Sequence, residues 1–110
     1  MDSEGVRVYY HPNTEIRSYL TQDEITNPLY ETFENPLNDN YDTLAQRLGT
    51  IGARVVQEIL ALPEVAQIRF KPKEIRVRKT PLAVWDDLEP EILRIVERAV
   101  RRSRMRVLKH

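Results

Sequence analysis

The 110-residue sequence contains no cysteine, only three glycines and only two histidines. Without cysteine the chain can form no disulfide, no thiolate metal site and no cysteine nucleophile, and its redox compartment cannot be read from cysteine usage. Three scattered glycines provide no glycine-rich phosphate loop, and His11 and His110 have no second ligand at metal-site spacing. We therefore expect a protein that is not an enzyme, with no catalytic residue, no metal site and no cofactor bound by the chain itself.

Long apolar runs are also missing, and residues 1–5 are acidic and polar, unlike a signal peptide. We expect a cytoplasmic protein with no membrane partner. A chain of this length fits a single domain, 1–110, that is large enough to bury a core without disulfides.

The net charge is zero, but the charges are unevenly distributed along the chain. Residues 1–42 hold nine acidic and two basic side chains, whereas residues 43–110 hold eight acidic and fifteen basic ones, which gives −7 against +7. Such asymmetry indicates either a surface that attracts an anionic partner or two segments of one fold that attract each other.

Period-two alternation predicts two β-hairpins. The first surrounds the Pro12-Asn13 turn, with Val6, Val8 and Tyr10 before it and Ile16, Ser18 and Leu20 after it. The second surrounds a break at residues 71–74, with Val65, Ile68 and Phe70 before it and Ile75 and Val77 after it.

Residues 21–41 contain two Asn-Pro-Leu tripeptides, which favour turns and force the preceding residue to be extended. We predict a loop insertion with two turns. Loops of about twenty residues are uncommon in compact domains and are either functional or partly disordered.

Apolar residues at spacings of three and four predict a helix from Tyr41 or Asp42 to Leu62, ended by Pro63. Gly49 and Gly52 either split this helix or allow it to pack closely on the sheet. A second helix is predicted to begin near an Asp86 N-cap, with Glu89 reaching back to it and Pro90 in the first turn. A basic extension follows at about 101–110.

The element order is therefore ββαββα, which predicts an α+β fold. We expect a two-layer sandwich in which two helices cover one face of a four-stranded, mainly antiparallel sheet.

One set of residues carries a resemblance to a known family: Pro12, Asn13, Pro63, Val65, Phe70, Trp85, Leu88, Pro90 and Ile92. The strongest part is the segment Trp85-Asp86-Asp87-Leu88-Glu89-Pro90-Glu91-Ile92. The pattern resembles the N-terminal domain of the NifU/Nfu iron–sulfur cluster scaffold proteins, in which these positions are packing residues.

The sequence departs from that family in four ways. Glu64 stands where the family commonly has glycine, the segment before the first helix is longer, and an arginine-rich extension ends the chain. The family's second domain, whose Cys-x-x-Cys holds the cluster, is missing. The resemblance thus implies a non-catalytic interaction module that assists iron–sulfur cluster assembly or delivery by docking to a carrier protein. The carrier would supply the cysteines, and a cluster would meet this chain only through that partner.

Two surfaces are candidates for such docking. The first is the uncovered sheet face, to which alternation assigns Arg7, Tyr9, His11, Arg17, Tyr19, Arg69, Lys71, Arg76 and Arg78. The second is the C-terminal helix with Arg94, Arg98, Arg101 and Arg102. Interleaved rings and cations also suit single-stranded nucleic acid or RNA, which is the alternative function. Both sets also have a purely structural explanation. Cationic side chains commonly fill a solvated strand face, and cations near the C-terminus of a helix are favoured by the helix dipole.

Overall fold

The computed structural model describes residues 5–108, with side chains described as far as Met105. The sheet has five strands in the order β1-β2-β5-β4-β3, and every neighbouring pair is antiparallel. The elements in chain order are β1 (Val6–Tyr10), β2 (Ile16–Thr21), β3 (Glu31–Glu34), α1 (Tyr41–Leu48), α2 (Thr50–Leu60), β4 (Val65–Lys71), β5 (Glu74–Lys79) and α3 (Trp85–Leu108).

The α+β class and both predicted hairpins are confirmed. In the first hairpin Val8 lies opposite Tyr19, and in the second Phe70 lies opposite Ile75. Because β2 also pairs with β5, the two hairpins join into one sheet with β5 at its centre.

The predicted count of four strands is wrong by one, because the segment 21–41 contributes β3. This strand pairs with β4 and places Phe33 opposite Ile68. It has only four residues, and Phe33 is its only buried one. Two Asn-Pro turns flank this short strand, so the turn signals outweighed its alternation in the sequence.

The predicted count of two helices is also wrong by one, because the first helix is split. Gly49 separates α1 from α2 with a φ of 86°, a left-handed conformation that glycine adopts without a steric penalty. Gly52 permits the close packing considered for these glycines, but its close neighbours lie in the 21–41 segment and in α1 and not in the sheet. A Cβ at Gly52 would lie 2.9 Å from Oγ1 of Thr26, which shows how closely the 21–41 segment approaches α2.

The last helix begins at Trp85, one residue before the predicted N-cap. Pro90 consequently lies in the second turn of the helix and not in the first. Because proline has no N–H, the Asp86 carbonyl, four residues earlier, has no helical hydrogen-bond donor. The predicted capping role of Glu89 is wrong as well, because its Oε1 accepts hydrogen bonds from the side chains of Arg17 and Tyr19.

The core lies between the sheet and the helices. Its largest fully buried side chains are Tyr19, Phe70, Leu44, Leu48, Ile59, Ile68, Ile75, Ile92, Val55, Val56, Val65 and Val77. No helix among residues 5–108 is both long enough and apolar enough to cross a membrane.

Part of the charge asymmetry is used within the fold. Arg104 of α3 pairs with Asp23 at 2.8 Å, and Arg47 of α1 lies 3.2 Å from Glu31 and also pairs with Asp39. The acidic first part of the chain therefore attracts the basic second part, which is one of the two interpretations of the sequence.

Candidate functional site

The strand register decides which side chains share a face of the sheet, because residues directly opposite each other point to the same side. Val8 of β1 is buried under the helices and lies opposite Tyr19, and Tyr19 lies opposite Ile75. Arg17, two residues before Tyr19, shares that helix-covered face. The assignment of Arg17 and Tyr19 to the uncovered face is therefore wrong, and the alternation in β2 is offset by one residue.

The reason for the offset is a polar cluster between β2 and the start of α3. Glu89 Oε1 accepts from Arg17 Nη1 and from the Tyr19 hydroxyl, each at 2.9 Å. The Arg17 guanidinium lies between two rings, 4.5 Å from the centroid of Tyr10 and 4.8 Å from that of Trp85. An arginine that is paired with a carboxylate and stacked on aromatic rings can lie on the helix-covered face of the sheet. Arg17 and Tyr19 therefore help to pack α3 against the sheet.

The Tyr19 hydroxyl also titrates abnormally. Burial raises the pKa of Tyr19 well above its usual value, and the negative charge and hydrogen bond of Glu89 raise it further. This residue remains a neutral donor at physiological pH and is not available to a partner.

The other seven predicted residues do share the uncovered face. Arg7 and Tyr9 lie on β1, and Tyr9 is opposite Ser18 of β2. Ser18 is in turn opposite Arg76 of β5, and Arg76 is opposite Arg69 of β4, so all these side chains point to the same side of the sheet. The predicted residues that the structure brings together are Arg7, Tyr9, His11, Arg69, Lys71, Arg76 and Arg78. Together with Ser18, Tyr30 and Glu74 we call this set the open face.

Two arginines stand directly opposite each other at the centre of the open face. Arg69 of β4 is the register partner of Arg76 of β5. Each Nε is buried, and neither has a hydrogen-bond partner among the residues that the structure describes. The nearest carboxylate contact of Arg76 is Glu74 Oε2 at 4.0 Å from Nε, which is too long for a hydrogen bond. Like charges opposite each other in a sheet are destabilising, so this pair is suited to an anion.

A hydrogen-bond chain borders this arginine pair. Ser18 is 1% exposed, and its hydroxyl donates to Glu74 Oε2 at 2.8 Å and contacts His11 Nε2 at 2.7 Å. Desolvation lowers the pKa of His11, the charge of Arg76 lowers it further, and Glu74 opposes both. Tyr9 packs edge-on against the His11 ring at 4.8 Å. His11 is therefore mainly neutral at pH 7. The positive charge of the open face comes from its arginines and Lys71, which outnumber its one acidic residue, Glu74.

Sequence reasoning missed Tyr30, which adds an aromatic wall to the open face. Its ring centroid lies 5.5 Å from the Arg69 guanidinium carbon and 4.9 Å from Lys71 Nζ. The side chain is 58% exposed. One sequence signal could have located Tyr30. It directly precedes the polar–apolar alternation of residues 31–34, and extending that alternation backwards puts Tyr30 on the same side of the strand as Thr32, away from the buried Phe33.

The second predicted surface, the cations of α3, is separate from the open face. Since α3 packs on the opposite side of the sheet, the two sets cannot form one patch. Arg94 pairs with Glu91, and Arg98 joins α3 to Glu58 of α2 at 3.1 Å. Arg101 is exposed, whereas burial and then the charge of Arg54 lower the pKa of Arg102.

The residues of the predicted packing motif fall into two groups. Trp85, Leu88, Val65, Phe70 and Ile92 are buried in the core, as packing residues should be. The others mark turns or a helix surface and are exposed: Pro12, Asn13, Pro63 and Pro90. Trp85 also donates from Nε1 to the Thr14 carbonyl at 2.8 Å, which ties α3 to the β1–β2 turn that contains Asn13.

No group of three or more His, Asp or Glu side chains within the described part of the chain is arranged to hold a metal ion.

No protein-family model matches the sequence, and no curated protein matches it.

Solved structures with the same fold do exist. The crystal structure of protein SAV1430 from Staphylococcus aureus is similar with a TM-score of 0.60 and 14% identity, over 83% of this chain and 96% of that chain. The NMR structure of a NifU-like protein from Saccharomyces cerevisiae is similar with a TM-score of 0.62 and 16% identity, over 83% of this chain and 73% of that chain. At such identities the likeness establishes a shared fold, so the resemblance to a NifU-like domain is confirmed at the level of the fold.

Proposed function

We propose that this chain is a non-catalytic interaction module that assists iron–sulfur cluster assembly or delivery by docking to a cluster carrier. The likeness to a NifU-like protein motivates the iron–sulfur setting. Since the chain has no cysteine, the cluster is cargo held by the partner and contacts this chain only within the complex.

The observation that carries the docking surface is the opposition of Arg69 and Arg76 on the uncovered side of the sheet. A like-charge pair that its nearby carboxylate, Glu74 Oε2, approaches no closer than 4.0 Å from Arg76 Nε costs stability in the free protein, and acidic groups of a partner would relieve that repulsion. Tyr30 and Tyr9, each more than half exposed, provide apolar contact area beside the cations. Aromatic residues and arginine are the side chains most often found at the energetic centres of interfaces.

The test is affinity capture from the lysate of the host, with and without nuclease, using three forms of the chain. These are the wild type, the double variant Arg69→Glu/Arg76→Glu, and the control Arg101→Glu, which changes an exposed arginine on the helix side. We expect wild type and R101E to retain iron–sulfur assembly proteins in both samples, and the double variant to lose them. Circular dichroism checks that all three forms are folded.

Two outcomes would contradict the proposal. Equal retention by the double variant would remove the open face from the interaction. Retention of RNA that disappears with nuclease, with no iron–sulfur protein in either sample, would favour the alternative function, and that binding would weaken steeply with salt because phosphate contacts release counterions.

A further inference from the structure

The chain has a second exposed apolar feature, which lies away from the open face. A groove of about 600 Å³ runs between the α2–β4 turn and the β5–α3 connection. Leu62 and the buried Leu88 line it. Leu82 is 95% exposed and Val84 is 54% exposed, although both are apolar.

The charged residues that line the groove are all acidic. Its charged lining residues are Glu64, Asp87 and Glu91, with no base among the lining residues. Glu91 is paired with Arg94, whereas Glu64 and Asp87 are exposed. An occupant of this groove would therefore combine an apolar side chain with positive charge.

Such a segment is found at the other end of α3. Met105 is 58% exposed, and among the side chains that the structure describes, which end at Met105, it is the only large exposed aliphatic one outside the groove. Arg101, one turn earlier, is also exposed, and Arg102 adjoins it. The last turns of α3 thus complement the groove in both apolarity and charge.

One chain cannot make this contact with itself. Met105 lies twenty residues beyond Trp85 on a continuous helix, which at 1.5 Å per residue places it about 30 Å from the groove at the helix start. The complementary segment must come from another molecule.

We infer that the last turns of α3 of one copy dock into the acidic, apolar groove of a second copy. The contact joins two different surfaces, so it is heterologous and propagates head to tail into rings or short chains. One helical end in a shallow groove is a small interface, so we expect weak association with a dissociation constant on the order of 0.1 mM. This inference does not rest on the proposed function, because it uses neither the open face nor a carrier.

The test is sedimentation velocity of the 110-residue chain from about 10 µM to 1 mM, a range that brackets that constant. Leu82→Lys should block the groove, and Met105→Glu should block the helix end. Both side chains are mostly exposed, so both variants should fold with unchanged urea midpoints. The wild type should show a mass that rises with concentration, and each variant alone should remain monomeric.

The mixture of the two variants is decisive. L82K retains an intact helix end and M105E retains an intact groove, so together they should form a one-to-one dimer that grows no further. A mixture that remains monomeric while the wild type associates would overturn the head-to-tail contact. A wild type that stays monomeric at 1 mM would overturn self-association, even if the groove bound a synthetic peptide of residues 101–110.

Discussion

Arg17 and Glu89 are seventy-two positions apart in the sequence, yet their side chains meet at 2.9 Å between Nη1 and Oε1. Both are mostly buried, with 21% and 17% of their side chains exposed. The contact connects β2 to the first turns of α3 and is reinforced by the Tyr19 hydroxyl on the same oxygen. This arrangement makes Glu89 the anchor of the helix on the sheet.

Replacing Glu89 with alanine should therefore destabilise the domain. The substitution removes one acceptor from two donors and leaves a largely buried guanidinium unpaired, for which we expect a loss of about 2 kcal/mol in the free energy of unfolding. Urea denaturation followed by circular dichroism measures the change.

The matched control is Glu91→Ala, two residues further along α3. Glu91 pairs with Arg94 on the surface, where both side chains are substantially exposed, so its loss should cost less than about 0.5 kcal/mol. Similar losses for E89A and E91A would show that the Arg17 cluster does not hold α3.

The same cluster explains why the alternation in β2 predicted the wrong face for two residues. Alternation located β2 correctly but assigned Arg17 and Tyr19 to the wrong face, because the period-two rule assumes that charged residues point to solvent. Arg17 does not, since a carboxylate from a distant helix and two rings compensate its burial. No local feature of β2 encodes a partner at position 89.

Gly52 should not tolerate alanine, although alanine is the better helix former by about 1 kcal/mol. The added methyl group would lie 2.9 Å from Thr26 Oγ1 and 3.1 Å from Leu48 Cβ. Thr26 cannot move freely because its hydroxyl donates to the Leu48 carbonyl at 2.9 Å in a buried position. We expect Gly52→Ala to cost about 1–3 kcal/mol in urea denaturation.

A double-variant cycle identifies the cause of that cost. In a Thr26→Gly background the Thr26 Oγ1 and Cβ contacts are gone and the Leu48 Cβ contact at 3.1 Å remains, so the additional loss caused by G52A should become smaller without vanishing. An unchanged loss in both backgrounds would mean that Thr26 does not limit the space at Gly52.

The candidate site was predicted in part. Arg69, Lys71, Arg76 and Arg78 follow from the simple alternation of the second hairpin, in which no distant residue changes the face. Tyr30 could not be placed, because its position depends on β3, a strand that is stabilised mainly by pairing with β4 and by the burial of Phe33. Local propensity carries little of that information in a four-residue strand.

Arg76→Gln should stabilise the isolated domain even though it removes a charged residue from the candidate site. Glutamine relieves the repulsion with Arg69 across the strand pair, and we expect a gain of about 0.5 kcal/mol at low ionic strength. In 1 M NaCl the gain should shrink, because the Debye length falls to about 3 Å. Urea denaturation at both salt concentrations measures it.

Arg78→Gln is the matched control, because Arg78 lies on the same face and strand but is opposite the neutral Gln67. It should give little or no gain. A loss of stability in R76Q that is independent of salt would show that Arg76 makes a net favourable contribution in the free protein.

His11 should titrate below its usual pKa of 6.5, because desolvation and the neighbouring Arg76 charge both disfavour the imidazolium. Below pH 6.5 the unfolded chain then binds more protons than the folded chain, so His11 makes the domain less stable as the pH falls through that window. Proton NMR of the imidazole Hε1 resonance measures the pKa directly, and His110→Gln removes the second histidine signal for assignment.

Two variants of the surrounding charges separate the causes of this shift. Arg76→Gln should raise the pKa of His11, because it removes a repulsive charge, whereas Glu74→Gln should lower it further, because it removes the attractive one. His11→Asn should flatten the pH dependence of the urea midpoint between pH 5 and 6.5. A His11 pKa at or above 6.5 that R76Q leaves unchanged would show that Arg76 does not act on the imidazole across the open face.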